Sequence, residues 1–153
     1  MEKGIKVIAL NKKASYDYFL FDTYEAGLVL EGSEIKSIRG GNVNLKDSYV
    51  QIKNGEAFII NMHIANYEKA GIFLPSTTRS RKLLLHRLEI ERMDSKVKEK
   101  GFTVVATKVY IKNGKAKLEL ALAKGKKNYD KRETEKNKDI NRNIHKMLKE
   151  INK

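Results

Sequence analysis

Residues 107–122, with the sequence TKVYIKNGKAKLELAL, contain the pattern that decides the fold. Asn113 and Gly114 tolerate the positive φ that both central residues of a type I′ turn need, so the segment predicts a tight β-hairpin. Its second strand alternates apolar residues with mostly polar ones. The apolar residues are Leu118, Leu120 and Leu122, and Lys117, Glu119 and Ala121 stand between them. The alternation predicts one face in the core and the other in water.

Two further stretches predict strands. Asn54-Gly55 joins the β-rich run 49–53 to the run 56–60, which predicts a second hairpin of the same kind. An earlier run, Tyr18 to Leu30, is rich in aromatic and β-branched residues. Gly27 interrupts this run, and we expect a bulge or a bend there.

Two helices are predicted. The first covers Gly32–Arg39 and ends at Gly40-Gly41. The second runs from near Arg87 to Lys100, where Ile90, Met93 and Val97 share one face and Gly101 is the expected residue after the helix.

The order strand, helix, strands, helix, strands predicts an α+β fold that is mainly β. Short strands joined by tight hairpins favour a small closed or nearly closed antiparallel barrel, because closure removes exposed strand edges. An open sheet with helices on one face is the alternative.

Length and composition limit the class of protein. The chain has 153 residues, which is about one domain, and its net charge of +13 favours a polyanionic partner. It contains no Cys, which excludes disulfides, cysteine-based metal sites and a thiol nucleophile. The first ten residues make a poor signal peptide and no apolar run has the length of a membrane span, so we expect a cytoplasmic protein.

The positive charge is concentrated at the C-terminus. Residues 124–153 carry 11 of the 32 basic residues and 5 of the 19 acidic residues, a net of +6. We therefore expect a folded body at 1–123 and a basic tail at 124–153. An apolar stripe at helical spacing lies within the tail, at Ile140, Ile144, Met147, Leu148 and Ile151. We expect the tail to be disordered alone and helical against a partner that neutralises its charge.

No catalytic constellation is apparent. His63, His86 and His145 match no metal-binding or catalytic spacing, and no phosphate-binding or nucleophile motif is present. We therefore expect no catalysis, no cofactor and no metal.

Three basic clusters predict nucleic-acid binding. They lie at 11–13, 79–82 and 124–127. Near the first cluster, Tyr16, Tyr18 and Phe19 are candidates for stacking on bases. The alternative for these aromatic side chains is a place in the core or at the mouth of the barrel.

Six segments in register resemble the signature segments of the SmpB family of bacterial SsrA-binding proteins, over about residues 8 to 150. In chain order they are Asn11–Ala14 with Asp17-Tyr18, Tyr24–Gly27, Gly32–Gly41, Asn44–Tyr49, Thr78–His86 and Lys124–Arg132. The resemblance implies an oligonucleotide-binding-type (OB-like) β-barrel with two to three flanking helices and a basic tail. It implies no catalysis. It also implies binding to the tRNA-like domain of transfer-messenger RNA (tmRNA), delivery of tmRNA to stalled ribosomes, and trans-translation.

The resemblance assigns residues to two surfaces. The surface facing tmRNA would contain Asn11, Lys12, Glu25, Leu84 and Lys117, with Arg81 and Lys82 as flanking basic residues. The tail would stand in for an anticodon arm and contact ribosomal RNA at the decoding centre and mRNA channel. Its implied contact residues are Lys124, Lys126, Lys127, Tyr129, Asp130, Lys131 and Arg132. A tRNA-like role favours a monomer.

The chain departs from the family pattern at two places. Ser15-Tyr16 stands where many members have Arg-His, and the far tail lacks a Trp that some members carry. Two rival functions remain at this level. One is a general single-strand-binding or ribosome-associated module. The other is an RNA-acting enzyme that depends on His63 or His86.

Overall fold

The computed structural model describes residues 4–67 and 76–126. Within these ranges the chain forms nine strands and three helices. The strands are β1 (Ile5–Leu10), β2 (Tyr18–Leu28), β3 (Val43–Asn44), β4 (Tyr49–Lys53), β5 (Glu56–Ile60), β6 (His63–Ile64), β7 (Arg81–Leu84), β8 (Thr103–Lys112) and β9 (Lys115–Gly125). The helices are α1 (Lys12–Asp17), α2 (Gly32–Arg39) and α3 (Arg87–Lys100).

The main sheet closes on itself. Its strand order is β1-β8-β4-β5-β7-β2-β9, and β9 also pairs with β8, so six antiparallel strands form a ring with β1 added outside it. The closure between β4 and β8 is narrow, with Tyr49 opposite Val105. The predicted barrel is therefore confirmed, and the open sheet is not observed.

Both Asn-Gly hairpins form as predicted. Asn54, Gly55, Asn113 and Gly114 all have positive φ, as type I′ turns require. The turns fix the registers of β4 with β5 and of β8 with β9. The three leucines of β9 lie in the barrel core, together with residues from β5, β7 and α3, including Ile59, Leu83 and Met93.

The outer face of β9 is only partly exposed to solvent, whereas the alternation predicted that all of it would be exposed. Ala121 is fully buried, although the alternation placed it in water. Ala121 is opposite Val105 in the register, and Val105 forms a second small apolar cluster with Ala123 and with Ala14 of α1, on the outside of the barrel. The sequence analysis did not predict α1. Asn11 begins this helix, since its side chain accepts a hydrogen bond from the Ala14 backbone N–H at 3.3 Å.

The two predicted helices form with the expected bounds. The backbone N–H of Glu31 donates to the Glu34 carboxylate at the start of α2, and Gly101 follows α3 with a left-handed φ of 67°. Val97 lies on the α3 surface, 36% exposed, rather than in the core with Ile90 and Met93.

The interruption expected at Gly27 is absent, because β2 continues through it. The irregular position lies earlier, between Leu20 and Thr23, where the register with β9 shifts. Gly27 matters for the packing of the neighbouring strand instead. A Cβ at this position would lie 3.2 Å from the Cβ of Leu84, so a larger residue would require the Leu84 side chain to shift.

Candidate nucleic-acid interface

Leu84, Gly27 and Lys117 lie side by side on three adjacent strands, and we call them the three-strand row. In the register, Gly27 is opposite Leu84 on one side and Lys117 on the other. Because Gly27 has no side chain, the side chains of Leu84 and Lys117 approach each other over its backbone. The position of a Gly27 Cβ would be 3.4 Å from Leu84 Cδ1 and 3.6 Å from Lys117 Nζ. The row thus places an apolar group and a cation together on the outside of the barrel.

Leu84 is open to solvent and is not part of the barrel core. Its side chain is 55% exposed, whereas Leu83 beside it is buried in the core. Lys117 also points outward, opposite in parity to the buried Leu118. Both positions therefore agree with the outward placement that the sequence analysis expected.

Glu25 is two residues from Gly27 on the same face of β2. Two side chains of β8 contact its carboxylate. The hydroxyl of Tyr110 donates to Glu25 Oε2 at 2.5 Å, and Lys112 Nζ lies 3.4 Å from the same oxygen. The hydrogen bond from Tyr110 is the main cause that lowers the pKa of Glu25, with the charges of Lys112 and Lys117 acting in the same direction. The group is therefore an ionised acceptor, suited to a base N–H or a ribose hydroxyl.

A cavity of about 630 Å³ opens beside the three-strand row. It extends over the β4–β5 turn and the first turn of α3. Its lining includes Glu25, Glu56, Lys82, His86 and Arg87, besides the row itself. Lys82 is exposed as expected, and it pairs with Glu56 at 3.3 Å. The cavity therefore combines basic side chains, the hydrogen-bonded carboxylate of Glu25 and an apolar wall on one concave surface.

Asn11 and Lys12 lie at the start of α1, where they have different surroundings. The Asn11 amide donates to the carbonyl oxygens of Ala106 and Leu45, at 2.8 and 3.2 Å. Its side chain therefore fastens α1 to the barrel, and Lys12 next to it is exposed. The family resemblance implied a place for Asn11 on the RNA-facing surface; in the structure its amide donates to protein carbonyl oxygens.

Arg81 is not on the surface, which corrects its expected position. Its side chain is fully buried, and its guanidinium contacts Glu34 Oε2 at 2.5 Å and the carbonyl oxygens of Met62 and Thr77. Arg79 also donates to the Glu34 carboxylate. Arg81 was expected to be an exposed cation. It is instead buried in the core, because α2 places the Glu34 carboxylate beside it.

Of the implied tail residues, the structure describes Lys124 and Lys126. Lys124 belongs to the end of β9 and is exposed. Lys126 Nζ donates to the Ser15 carbonyl oxygen at 3.1 Å, and its backbone N–H donates to Asp17. The remaining expected contacts lie outside the described residues, as does the apolar stripe of the tail. These contacts are Lys127, Tyr129, Asp130, Lys131 and Arg132.

Sequence reasoning missed Tyr110 and Lys112, although both are in the hairpin that predicted the fold. No local pattern marks them as partners of Glu25, which is 85 and 87 residues away in the chain. Gly27 was expected only to interrupt β2, and its place between Leu84 and Lys117 was not foreseen. The roles of Tyr110, Lys112 and Gly27 become apparent only when the pairing of the strands is known.

His63 and His86 are both exposed, and residues 4–67 and 76–126 contain no group of three or more His, Cys, Asp or Glu side chains arranged to hold a metal. None of the helices in these ranges has the length and apolar character needed to cross a bilayer.

Comparison with known proteins identifies relatives along almost the whole chain. The family model described as SmpB protein matches residues 8–150. The SsrA-binding protein of Persephonella marina is 57% identical, over 95% of this chain and 96% of the relative. That of Geobacillus thermodenitrificans is 56% identical, over 100% of this chain and 99% of the relative.

A solved structure supports the same relationship. The matched chain comes from a structure of tmRNA-SmpB and the bacterial ribosome. It matches with a TM-score of 0.67 and 43% identity, over 78% of this chain and 85% of that chain.

Proposed function

The chain belongs to the SmpB family, and we propose that it is an RNA-binding adaptor of trans-translation. In this role it binds the tRNA-like domain of tmRNA and delivers it to ribosomes that have stalled. The proposed adaptor carries out no catalytic step, is located in the cytoplasm and is a monomer.

The observation that carries the proposal is the surface formed by the three-strand row and Glu25. A folded RNA is recognised through its shape, its phosphates, its 2′-hydroxyls and its unstacked bases. Lys117 supplies a cation for phosphate, the ionised Glu25 accepts hydrogen bonds, and the exposed Leu84 packs against an unstacked base. Lys12 and Lys82 extend the positive charge around this surface.

The tail has a separate role in the proposal. With a net charge of +6, it contacts ribosomal RNA at the decoding centre and in the mRNA channel, where a tRNA would place its anticodon arm. Tyr129 stacks on a base there. Lys124, Lys126, Lys127, Lys131 and Arg132 hold phosphates, and Asp130 lies among them.

The body is tested by changing the three-strand row in the full chain. Leu84→Ala and Lys117→Met change side chains on the outside of the barrel and leave the core intact, so the fold should survive. We expect each to weaken binding of the tRNA-like domain about tenfold, because a well-placed contact contributes about 1–2 kcal/mol. Lys6→Met, at an exposed Lys on β1, is the matched control and should change affinity less than about twofold. Unchanged affinity in both row variants would overturn this assignment.

The tail is tested by a second measurement on the same proteins. Lys131→Ala with Arg132→Ala should leave binding to the tRNA-like domain unchanged but reduce peptide tagging on stalled ribosomes in a reconstituted translation system. A tail that served only as a generic polycation would instead lose affinity for every RNA in proportion to the charge removed.

A further inference from the structure

An apolar surface lies at the end of the β2–β9 ribbon that is far from the three-strand row. Phe19, Leu20 and Phe21 are consecutive in β2, and their side chains are 45%, 39% and 48% exposed. Three adjacent large apolar residues open to water are unusual on a protein surface and often mark a site of interaction.

The register explains why these residues are exposed. Phe19 pairs with Lys124, and both lie on the ribbon face that carries Leu120 and Leu118 further along. The core-facing side of the ribbon therefore continues beyond the end of the barrel, where no other strand covers it among the described residues. Phe102, which packs against the barrel core, borders this surface.

Aromatic rings and lysines alternate on this surface. Phe21 and Phe102 make an edge-to-face contact, with ring centroids 5.1 Å apart. Lys124 Nζ lies 4.8 Å from the centroid of Phe102, and Lys126 Nζ lies 5.1 Å from that of Phe19. We name the group of Phe19, Phe21, Phe102 and Lys124 the aromatic ledge.

We propose that the aromatic ledge binds unpaired RNA bases by stacking. Proteins that bind single strands combine exposed aromatic side chains with nearby cations in this way. When a base stacks on a ring of the ledge, the Lys124 ammonium moves from Phe102 to the adjoining phosphate. Charge favours RNA over a protein segment from this chain's own tail, because the tail is basic and would meet Lys124 with charge of the same sign.

The ledge is a separate surface from the one proposed for tmRNA. Phe19 and Gly27 are eight positions apart in one strand, which corresponds to about 26 Å at about 3.3 Å per residue. The ledge lies instead where the basic tail leaves the body, since the chain continues from Lys124 to Lys126 and Lys127. RNA in contact with the tail would therefore reach the ledge.

The experiment compares two probes of equal charge. One is an unstructured RNA of about 12 nucleotides, and the other is an abasic strand with the same number of phosphates. Affinities are measured for the full chain, for Phe19→Leu with Phe21→Leu, and for Tyr49→Leu. Leucine keeps the apolar side chain but removes the ring, and Tyr49, 41% exposed on β4, is the matched aromatic control.

The full chain and Tyr49→Leu should bind the RNA about tenfold more tightly than the abasic strand. The Phe19→Leu, Phe21→Leu variant should lose most of this preference, with an unchanged affinity for the abasic strand. Binding of this variant to the tRNA-like domain should also be unchanged, which shows that it is folded and keeps the two proposals independent.

Two results would overturn the proposal. One is a base preference that persists in the Phe19→Leu, Phe21→Leu variant, which would assign stacking elsewhere, for example to Tyr129. The other is an absent preference in the full chain that appears when Ile144→Asp is introduced. That result would mean that the apolar stripe of the tail, and not RNA, occupies the ledge.

Discussion

Glu34 is a residue whose substitution should strongly destabilise the fold. It is 3% exposed and supplies the negative charge that compensates the fully buried Arg81. Glu34→Gln keeps the size of the side chain but leaves the guanidinium without a counter-charge. Removal of one partner of a buried ion pair costs about 3–5 kcal/mol. We expect a loss of about 3 kcal/mol in urea denaturation, because the Gln carbonyl still accepts a hydrogen bond.

The matched control for this change is Glu56→Gln. Glu56 pairs with Lys82, and both side chains are about half exposed. Exposed pairs of this kind contribute less than about 1 kcal/mol. Equal losses for Glu34→Gln and Glu56→Gln would contradict the structural role assigned to the buried pair.

The same carboxylate predicts a dependence of stability on pH. Burial alone would raise the pKa of Glu34, but hydrogen bonds from Arg79, the Glu31 backbone and Arg81 lower it. A group whose pKa is lower in the folded state stabilises the fold fully above its unfolded pKa, about 4.3. The stabilisation is lost as the pH falls through the lower folded-state pKa. We expect Glu34→Gln to show a smaller fall in unfolding free energy below about pH 4.3 than the unchanged chain.

Tyr110 positions the carboxylate of Glu25, so its hydroxyl should affect RNA binding indirectly. Tyr110→Phe removes the hydrogen bond to Oε2 and lets the pKa of Glu25 rise. We expect affinity for the tRNA-like domain to fall about threefold to tenfold, in keeping with about 0.5–1.5 kcal/mol for one hydrogen bond. In a Glu25→Ala background, where no carboxylate remains to be positioned, the same change should have little further effect. A double variant whose loss of affinity equals the sum of the two single losses would contradict this role.

Arg81 shows what sequence could not supply at the residue scale. Its neighbours Arg79 and Lys82 make a basic cluster, and the local pattern is that of an exposed surface. The partner that buries it, Glu34, is 47 residues earlier in the chain. Only the packing of α2 against the barrel brings the two together.

Among the elements, β2 determines the geometry of the three-strand row. Gly27→Ala adds a Cβ that would lie 3.2 Å from Leu84 Cβ, so Leu84 must shift. We expect the affinity for the tRNA-like domain to fall about fivefold, or about 1 kcal/mol. Gly125→Ala, on the neighbouring strand, meets no atom within 4 Å and is the control. Equal affinities in the two variants would mean that the close approach at Gly27 has no part in binding.

Elements with local signals were predicted well. The Asn-Gly turns fixed both hairpins, and capping residues bounded α2 and α3. Helix α1 was missed because six residues with one buried side chain, Ala14, show no helical periodicity. Its stability comes from the Asn11 cap and from packing on Val105 and Ala123, which are distant in the chain. The three-strand row was likewise inaccessible, since it depends on the pairing of three non-consecutive strands.

At the scale of the whole molecule, the net charge of +13 predicts how binding depends on salt. If the complex neutralises about 6 phosphates, a plot of log affinity against log salt should have a slope of about −4 to −5. Lys117→Met should reduce the magnitude of this slope by about 1. Titrations at several salt concentrations measure both. A slope that did not change with Lys117 would place its ammonium away from the phosphates.

In the proposed role, the body recognises the shape of one RNA rather than RNA in general. The most direct test is competition for the full chain at about 0.15 M ionic strength. The competitors are the tRNA-like domain of tmRNA, an ordinary tRNA and an unstructured RNA of equal length. We expect the tRNA-like domain to compete about tenfold more strongly than either of the others, a difference of about 1.4 kcal/mol. Equal competition by all three RNAs would contradict the adaptor and favour a general RNA-binding protein.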